Sequence, residues 1–469
     1  MSNTLYDFGM IGLGTMGRNL LLNLADHGFS VIGFDKDISK GATLEAAATA
    51  GTTVKGVSTL AEMVQQLKRP RKMMMLVPAG SVVDSVIEDL LPLLEKGDIV
   101  IDGGNSHFTD TLRRITYLQD KGIHFMGIGV SGGEQGARTG PSIMPGGDIA
   151  AWKEMKPLLE AVSAKVNDEP CVAYMGKGAA GHYVKMVHNG IEYAIMQLIS
   201  EVYDILKYHV GLSNDELHTV FKTWNEGELQ SFLIEITAEI FLKEDDLTKN
   251  RLVDMIYDKA GSKGTGKWTS QDAMNLPVSI PTIDAAVAMR TLSGFKDERT
   301  AAAALYKPTI KTITEGKEKI IQLAHDALYC AIIISYAQGL SMLHKASSEL
   351  QMDIPLKDVV RIWRGGCIIR SSLLEIFTAA YKRDAMLANI LLNKKVAAIV
   401  KKKQGNLRKF IQKSIAVKIP VTALSTALGY FDAYCRERMP TNLIQAQRDL
   451  FGAHTYQRTD KEGTFHTEW

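Results

Sequence analysis

Residues 5–11 are apolar and strand-like, and they run directly into Gly12-Leu13-Gly14-Thr15-Met16-Gly17. A helix-forming stretch, 18–26, follows. A second apolar run, 30–35, then closes on an acid. Strand, spaced glycines, helix, strand and carboxylate in this order specify a βαβ unit built to bind a dinucleotide. Gly12 permits the tight turn, Gly14 lets a pyrophosphate approach the backbone, and Gly17 lets helix pack on strand. The helix N-terminus offers unpaired N–H groups to the phosphates.

The alternation continues. Residues 72–77 read as a strand ending at Pro78-Ala79-Gly80, followed by a helix over 82–94. Residues 99–102 end at Gly103-Gly104-Asn105-Ser106, a helix covers 109–120, and a strand over 123–130 ends at Ser131-Gly132-Gly133-Glu134. Strands alternating with helices predict an α/β Rossmann-type, doubly wound sheet over 1–178. Ligands gather at the carboxyl ends of such strands, so the loops at 78–80, 103–106 and 131–134 are candidate site walls. Any one of them reads as a simple turn; the three together read as a site, in which Ser131 and Asn105 suit a carboxylate or hydroxyl. Asp35-Lys36-Asp37 ends the second strand. A carboxylate there accepts from a ribose 2′-hydroxyl and repels a 2′-phosphate, which favours NAD. Lys36 offsets the repulsion in part but lacks the planar fork of arginine.

Past Gly181 the strand signal fades. Amphipathic stretches at 181–210, 214–222, 228–242, 282–294, 317–348 and 371–382 predict a large all-α domain over 179–435. Its first stretch carries Lys185, His188, Asn189 and Glu192 at i, i+3, i+4 and i+7, on one helical face. Tyr183, Val184, Met186, Val187 and Ile191 cover the rest. Such a helix is expected to be buried with its polar stripe toward a cavity. Two readings stand at this point: an internally satisfied Lys/Glu pair, or two groups about 10 Å apart flanking a small substrate.

Residues 261–268, Gly-Ser-Lys263-Gly-Thr-Gly-Lys267-Trp268, fit the spacing of a P-loop except that Trp268 stands where Ser or Thr would hold magnesium. A phosphate-binding loop remains sensible and a nucleotide triphosphatase does not. Trp363-Arg-Gly-Gly-Cys367-Ile-Ile-Arg370 reads as a helix end with a glycine turn, and no motif activates Cys367. After Pro440 a helix over 441–451 precedes a polar tail, 436–469 in all, that is either an arm docked on another subunit or disordered.

With 54 basic and 52 acidic residues the formal net charge is +2, giving no electrostatic reason to expect nucleic acid or an acidic membrane surface. No apolar run approaches the 18 or so residues needed to span a bilayer. The N-terminus lacks a basic segment followed by an apolar core, so no export signal is expected. The four cysteines, Cys171, Cys330, Cys367 and Cys435, have no CxxC spacing, so no metal site is expected and free thiols in the cytoplasm are the default.

The motifs occur in a telling order: Gly12–Gly17 as above, Ile101-Asp-Gly-Gly-Asn-Ser106, Gly129-Val-Ser-Gly-Gly-Glu134, Gly140-Pro-Ser-Ile-Met-Pro-Gly-Gly147, then the 182–193 helix. The 261–268 loop, Lys296-Asp-Glu-Arg299, the 363–370 turn and Leu443-Ile-Gln-Ala-Gln-Arg-Asp449 with Gly452-Ala-His-Thr-Tyr456 follow. Nearly end to end, the chain resembles the decarboxylating 6-phosphogluconate dehydrogenases. The resemblance implies oxidation and decarboxylation of 6-phospho-D-gluconate to ribulose 5-phosphate in the pentose phosphate pathway. It implies a homodimer whose C-terminal tail enters the other subunit. It implies Lys185 as general base and Glu192 as general acid, and Asn105, Ser131, Gly132, Gly133, His188 and Asn189 around the sugar acid. Tyr193, Lys263, Arg290 and, from the partner, Arg448 would grip the phosphate, with His454 of the partner closing the site. Gly12, Leu13, Gly14, Thr15, Met16 and Gly17, with Asp35, Lys36, Asp37, Val77, Pro78, Ala79 and Asn105, would hold the cofactor, and no metal is required. NADP-using members usually carry Asn-Arg-Thr in place of Asp35-Lys36-Asp37 and a lysine in place of Pro78, so NADP and NAD both remain open. The rival readings are a 3-hydroxyacid dehydrogenase that does not decarboxylate, and a sugar-phosphate sensor that has lost catalysis.

Overall fold

A computed structural model describes residues 5–309 and 311–469; the first four residues of the segment read against an export signal lie outside it. The N-terminal part is a seven-stranded sheet of β1 (Phe8–Ile11), β2 (Val31–Phe34), β3 (Val54–Val57), β4 (Lys72–Met75), β5 (Ile99–Asp102), β6 (His124–Ser131) and β7 (Ser142–Gly147). The strand order is β3-β2-β1-β4-β5-β6-β7. The first six run parallel and β7 returns antiparallel to β6, with Ser131 opposite Ser142. β1 and β5 are buried along their whole length, as continuous apolar runs in a parallel sheet require. Pro145 is tolerated in β7 because that strand is an edge.

Helices α1 (Thr15–Asp26), α2 (Ser39–Ala46), α3 (Leu60–Gln65), α4 (Ser81–Leu90), α5 (Phe108–Gln119), α6 (Gly133–Thr139) and α7 (Ile149–Val162) connect and cover the strands. The expected strands and the longer helices are present. The sequence pattern did not reveal β3, β7, α2, α3, α6 or α7, and the loop read at 131–134 turns directly into α6.

The second part is helical: α8 (Ala180–Asp204), α9 (Asn214–Asn225), α10 (Phe232–Leu242), α11 (Leu252–Met255), α12 (Thr265–Asn275), α13 (Pro281–Ser293) and α14 (Lys296–Tyr306) lead to the 33-residue α15 (Lys317–Glu349). Then come α16 (Leu356–Ile362), α17 (Leu373–Arg383), α18 (Lys394–Ala416), α19 (Thr422–Tyr434) and α20 (Thr441–Gly452). Local signals fix several starts. Ser213 and Glu216 form a capping box on α9, and the Asn393 side chain accepts from the Lys395 and Val396 amides of α18. α15 packs on α8, α18 and α19. By length and apolarity α15 matches a membrane span, contrary to the expectation that no run approaches one, yet 83% of its apolar window is buried inside the protein. A helix apolar all round belongs at the centre of a helical core.

The two parts meet where α8 lies across β6 and β7. A Cβ on Gly129 of β6 would come within 2.4 Å of the Lys185 Cβ, and one on Gly181 within 2.2 Å of the Gly127 carbonyl oxygen. Backbone therefore touches backbone, and only residues without a side chain allow it. Gly129→Ala should destabilise the protein by about 1–3 kcal/mol, the usual cost of overpacking. It should also reduce kcat, because relief requires Lys185 to move. Denaturant titration with steady-state kinetics tests both, and an unchanged kcat would show that α8 yields without displacing Lys185.

Candidate active site

The glycine motif behaves as its spacing predicts. Gly12 has φ +93°, and a Cβ on Gly17 would lie 1.9 Å from the Gly12 carbonyl oxygen, so helix and turn are in contact. No side chain caps the first turn of α1. That turn opens on a cavity of about 460 Å³ lined by Gly14, Thr15, Met16, Gly17, Val77, Pro78, Ala79 and Asn105, and by Lys263 and Trp268 from the helical part. An adjoining cavity of about 310 Å³ is lined by Gly12, Asp35, Lys36, Lys40, Val77, Pro78 and Asp89. Uncapped amides beside one space and a carboxylate beside the other fit a dinucleotide's pyrophosphate and ribose.

Asp35 is held rigidly. Its Oδ2 accepts from the Leu13 amide at 2.7 Å, its Oδ1 from the Asp37 amide at 3.0 Å, and Lys40 Nζ lies 3.2 Å from both oxygens. Burial works to raise the carboxyl's pKa, and these donors outweigh it and hold it below the ordinary value. Asp37 instead accepts from the Ser39 hydroxyl at 2.6 Å and does not line the cavity.

The loops at the strand ends are tied together by a residue that sequence reasoning passed over. Arg114, 1% exposed, donates to the Gly80 carbonyl at 2.9 Å, to Asp84 at 2.8 Å, to the Ser106 hydroxyl at 3.3 Å and to Asp102 at 3.4 Å. One guanidinium fork thus sets the 78–80 loop against the 103–106 loop. Its only sequence signal was one of two adjacent arginines in an amphipathic helix. His182 performs a similar task between domains. Its Nε2 lies 3.0 Å from the Asp102 carbonyl oxygen and its Nδ1 2.7 Å from the Thr111 hydroxyl. A carbonyl oxygen can only accept, so Nε2 carries the proton and Nδ1 accepts from the Thr111 hydroxyl.

Above these loops α8 presents the polar stripe. Lys185 is 6% exposed, and among the described residues it forms no ion pair. Burial lowers its pKa, with the Glu192 charge opposing. Glu192 moves the other way: burial raises its carboxyl, with Lys185 and Arg290 opposing. His188 is fully buried, and burial together with the Lys185 charge drives its pKa well down, so it is neutral. Its Nε2 lies 3.3 Å from the Ser131 hydroxyl, its Nδ1 3.1 Å from Asn189 Oδ1 and 3.8 Å from Glu192. Asn189 Nδ2 donates to the Thr265 hydroxyl at 3.1 Å. The stripe is therefore no satisfied Lys/Glu pair. It holds an amine and a carboxyl that are both pushed toward neutrality, which is what proton transfer near neutral pH needs.

The 363–370 turn closes one side. The Gly366 carbonyl accepts from the Ser142 amide at 2.7 Å, and Trp363 meets the His188 ring edge-on at 5.5 Å. Burial pushes the Cys367 thiol up to about 12, so it is no thiolate. On the other side residues 261–264 are a loop that opens α12 at Thr265, with no strand before it, so the segment is not a P-loop. A Cβ on Gly266 would reach the Tyr193 ring at 2.5 Å. The Arg290 guanidinium stacks 3.5 Å from the centre of that ring and donates to the Gly261 carbonyl at 3.0 Å. Lys263 is exposed and faces the dinucleotide cavity. Gly132 and Gly133, both at positive φ, join β6 to α6. Asn105 is exposed on the rim. Arg448 and His454 do not join this cluster; both are exposed on the tail.

Among the described residues, the His/Cys/Asp/Glu cluster with metal-ligand spacing is Glu228, His325 and Asp326. Lys403 Nζ already stands between its carboxylates, 2.6 Å from Glu228 and 2.7 Å from Asp326. The four cysteines are free thiols.

A Rossmann-type sheet with an open phosphate loop, crossed at β6 by a helix that carries a buried lysine and a partly buried glutamate, defines a nicotinamide-dependent oxidoreductase. Comparison with known proteins narrows this. Residues 7–176 match the NAD binding domain of 6-phosphogluconate dehydrogenase, and residues 181–469 match its C-terminal domain. The chain is 53% identical over 462 residues, 98% of both chains, to the NADP(+)-dependent, decarboxylating 6-phosphogluconate dehydrogenase of Bacillus subtilis. It is 49% identical, over 99% of both chains, to the decarboxylating enzyme of Synechococcus elongatus. A solved 6-phosphogluconate dehydrogenase of Plasmodium falciparum, studied with NADP+ and with 6-phosphogluconate, superposes with a TM-score of 0.96 at 45% identity, covering 99% of this chain and all of the other. The chain belongs to the 6-phosphogluconate dehydrogenase family.

Proposed function

We propose that the chain oxidises and decarboxylates 6-phospho-D-gluconate to D-ribulose 5-phosphate and CO2 while a nicotinamide dinucleotide is reduced, a step of the pentose phosphate pathway. The observation that carries this is the buried Lys185, which has no ion-pair partner among the described residues and shares one stripe of α8 with Glu192 where that helix crosses β6. We read residues 1–178 as the dinucleotide domain, 179–435 as the substrate and dimerisation domain, and 436–469 as the arm.

When bound, the nicotinamide supplies a hydride acceptor. Neutral Lys185 takes the proton of the C3 hydroxyl as hydride leaves C3, giving a 3-keto acid. Breaking the C1–C2 bond then releases CO2 and sends its electron pair toward the C3 carbonyl, where the Lys185 ammonium stabilises the enolate. Glu192 delivers a proton to the carbon that becomes C1 of the product. Asn105, Ser131, Gly132, Gly133, His188 and Asn189 orient the sugar acid. Tyr193, Lys263 and Arg290 take the phosphate, a basic set that a phosphate-free hydroxyacid would not require.

For the cofactor, the Bacillus subtilis and Plasmodium falciparum relatives are described with NADP, yet we read this chain as preferring NAD. Asp35 is fixed by two backbone amides at the cavity wall, so a 2′-phosphate would meet an immobile carboxylate. Pro78 supplies no compensating charge. For assembly, we read a homodimer in which Arg448 and His454 serve the neighbouring site. In support, α20 leaves Leu443, Ile444, Leu450 and Phe451 between 56% and 70% exposed, an apolar face suited to a partner.

Three outcomes follow from this reading. Lys185→Arg keeps the charge and cannot be deprotonated, so kcat should fall by about 10²–10⁴ at every pH. In the parent enzyme activity should fall as pH drops through the lowered Lys185 pKa, well below the ordinary lysine value; retained CO2 release in the variant would remove Lys185 from its role. The ratio of kcat/KM for NAD over NADP should exceed one, and a strong NADP preference would assign Lys36 and Lys40 to a 2′-phosphate instead. Mixing Lys185→Ala chains with Arg448→Ala chains should restore about a quarter of the activity, since half the dimers then hold one intact site; no recovery would mean that sites do not span subunits.

A further inference from the structure

The tail is organised around a buried charge. Asp449 is the one buried residue of α20, at 0% exposure, amid a helix whose apolar side chains face outward. Its carboxylate collects four donors. Oδ1 accepts from the Thr455 amide at 2.9 Å and from His466 Nδ1 at 2.8 Å. Oδ2 accepts from the Thr467 amide at 3.0 Å and from the Trp469 indole N–H at 3.0 Å. A Tyr456–Phe465 bridge and a 2.6 Å contact between the Tyr456 and Thr467 hydroxyls close the returning strand. Among the described residues, the hydrogen bonds of 441–469 stay within the segment or reach only Pro440. The arm is thus a small self-contained unit whose centre is a carboxylate rather than an apolar core.

The residues beside this knot are the ones the arm delivers. Arg448 precedes Asp449 directly. His454 lies between Ala453 (φ +48°) and Thr455 (φ +60°), two non-glycine residues in the left-handed region that persist only where the surroundings hold them. The Asp449–Thr455 bond holds that turn. Burial works to raise the carboxyl's pKa, and the donors from His466, Thr467 and Trp469 outweigh it, keeping it ionised with a pKa of about 2.

We propose that Asp449 is a positioning residue for phosphate recognition: it fixes the directions in which Arg448 and His454 leave the arm and so acts through them on the neighbouring subunit's site. The inference rests on the reading that Arg448 and His454 work in trans.

The test uses the full-length dimer and steady-state kinetics. Asp449→Ala should raise KM for 6-phosphogluconate by about tenfold, the scale of one misaligned charge-assisted hydrogen bond, and leave KM for the dinucleotide within about twofold. Trp469→Phe removes one donor and keeps the ring, so it should shift the substrate KM in the same direction by a smaller factor; it carries the test alone should Asp449→Ala fail to fold. In an Arg448→Ala/His454→Ala background, adding Asp449→Ala should raise KM no further than about twofold, because a residue acting through those two has nothing left to position. A rise there equal to that in the parent enzyme would identify a general loss of arm structure and overturn the proposal, as would an unchanged substrate KM in Asp449→Ala. Should Arg448→Ala itself leave KM unchanged, the trans reading falls and the proposal with it. A raised KM in Arg448→Ala beside a flat Asp449→Ala removes the proposal alone.

Discussion

Everything at this site depends on how closely α8 approaches the sheet. The Gly181 backbone lies against the carbonyl oxygens of Gly127 and Met144, and Gly129 lies against the Lys185 stem. Approach at this distance seats Lys185 against Gly129 in the carboxyl-terminal half of β6, toward the end of the sheet where such folds collect their ligands. It also seals the lysine from water. Geometry and electrostatics therefore have one cause, since the contact that places the amine also desolvates it.

That desolvation is left uncompensated. Two other buried cations are paired: Arg114 has Asp84 and Asp102, and Lys403 has Glu228 and Asp326. Among the described residues Lys185 has no such partner, and the side chain within ion-pair distance of Glu192 is a neutral histidine. A buried charge without a partner destabilises the fold unless it neutralises. The contrast among these three buried cations singles out Lys185, because desolvation is offset by a carboxylate at Arg114 and Lys403 and not at Lys185.

Much of this was legible in the sequence. The glycine spacing and strand alternation specified the sheet, and the i, i+3, i+4, i+7 pattern picked out the polar stripe of α8. Other parts were hidden for physical reasons. β3 has no apolar run, and β7 carries Pro145-Gly146-Gly147, which is strand only because β6 pairs with it. Whether Lys185 and Glu192 pair is a matter of side-chain direction, and sequence spacing holds both answers. Arg114 and His182 act through carbonyls and hydroxyls far away along the chain, so no local pattern marks them. The tail read as either an arm or a disordered end, because its organiser is one carboxylate gathering donors up to 20 residues on, with no apolar periodicity to betray it.

The long central helix has a consequence for biosynthesis. α15 holds a long apolar window and packs on α8, made before it, and on α18 and α19, made after it. While the chain is being made, one flank of α15 stays uncovered until residues 394–434 have followed, some tens of residues later. A span-like helix without its cover is the kind of surface that aggregates or recruits a chaperone. The order of synthesis, rather than the final packing, sets the most exposed moment in the life of this molecule.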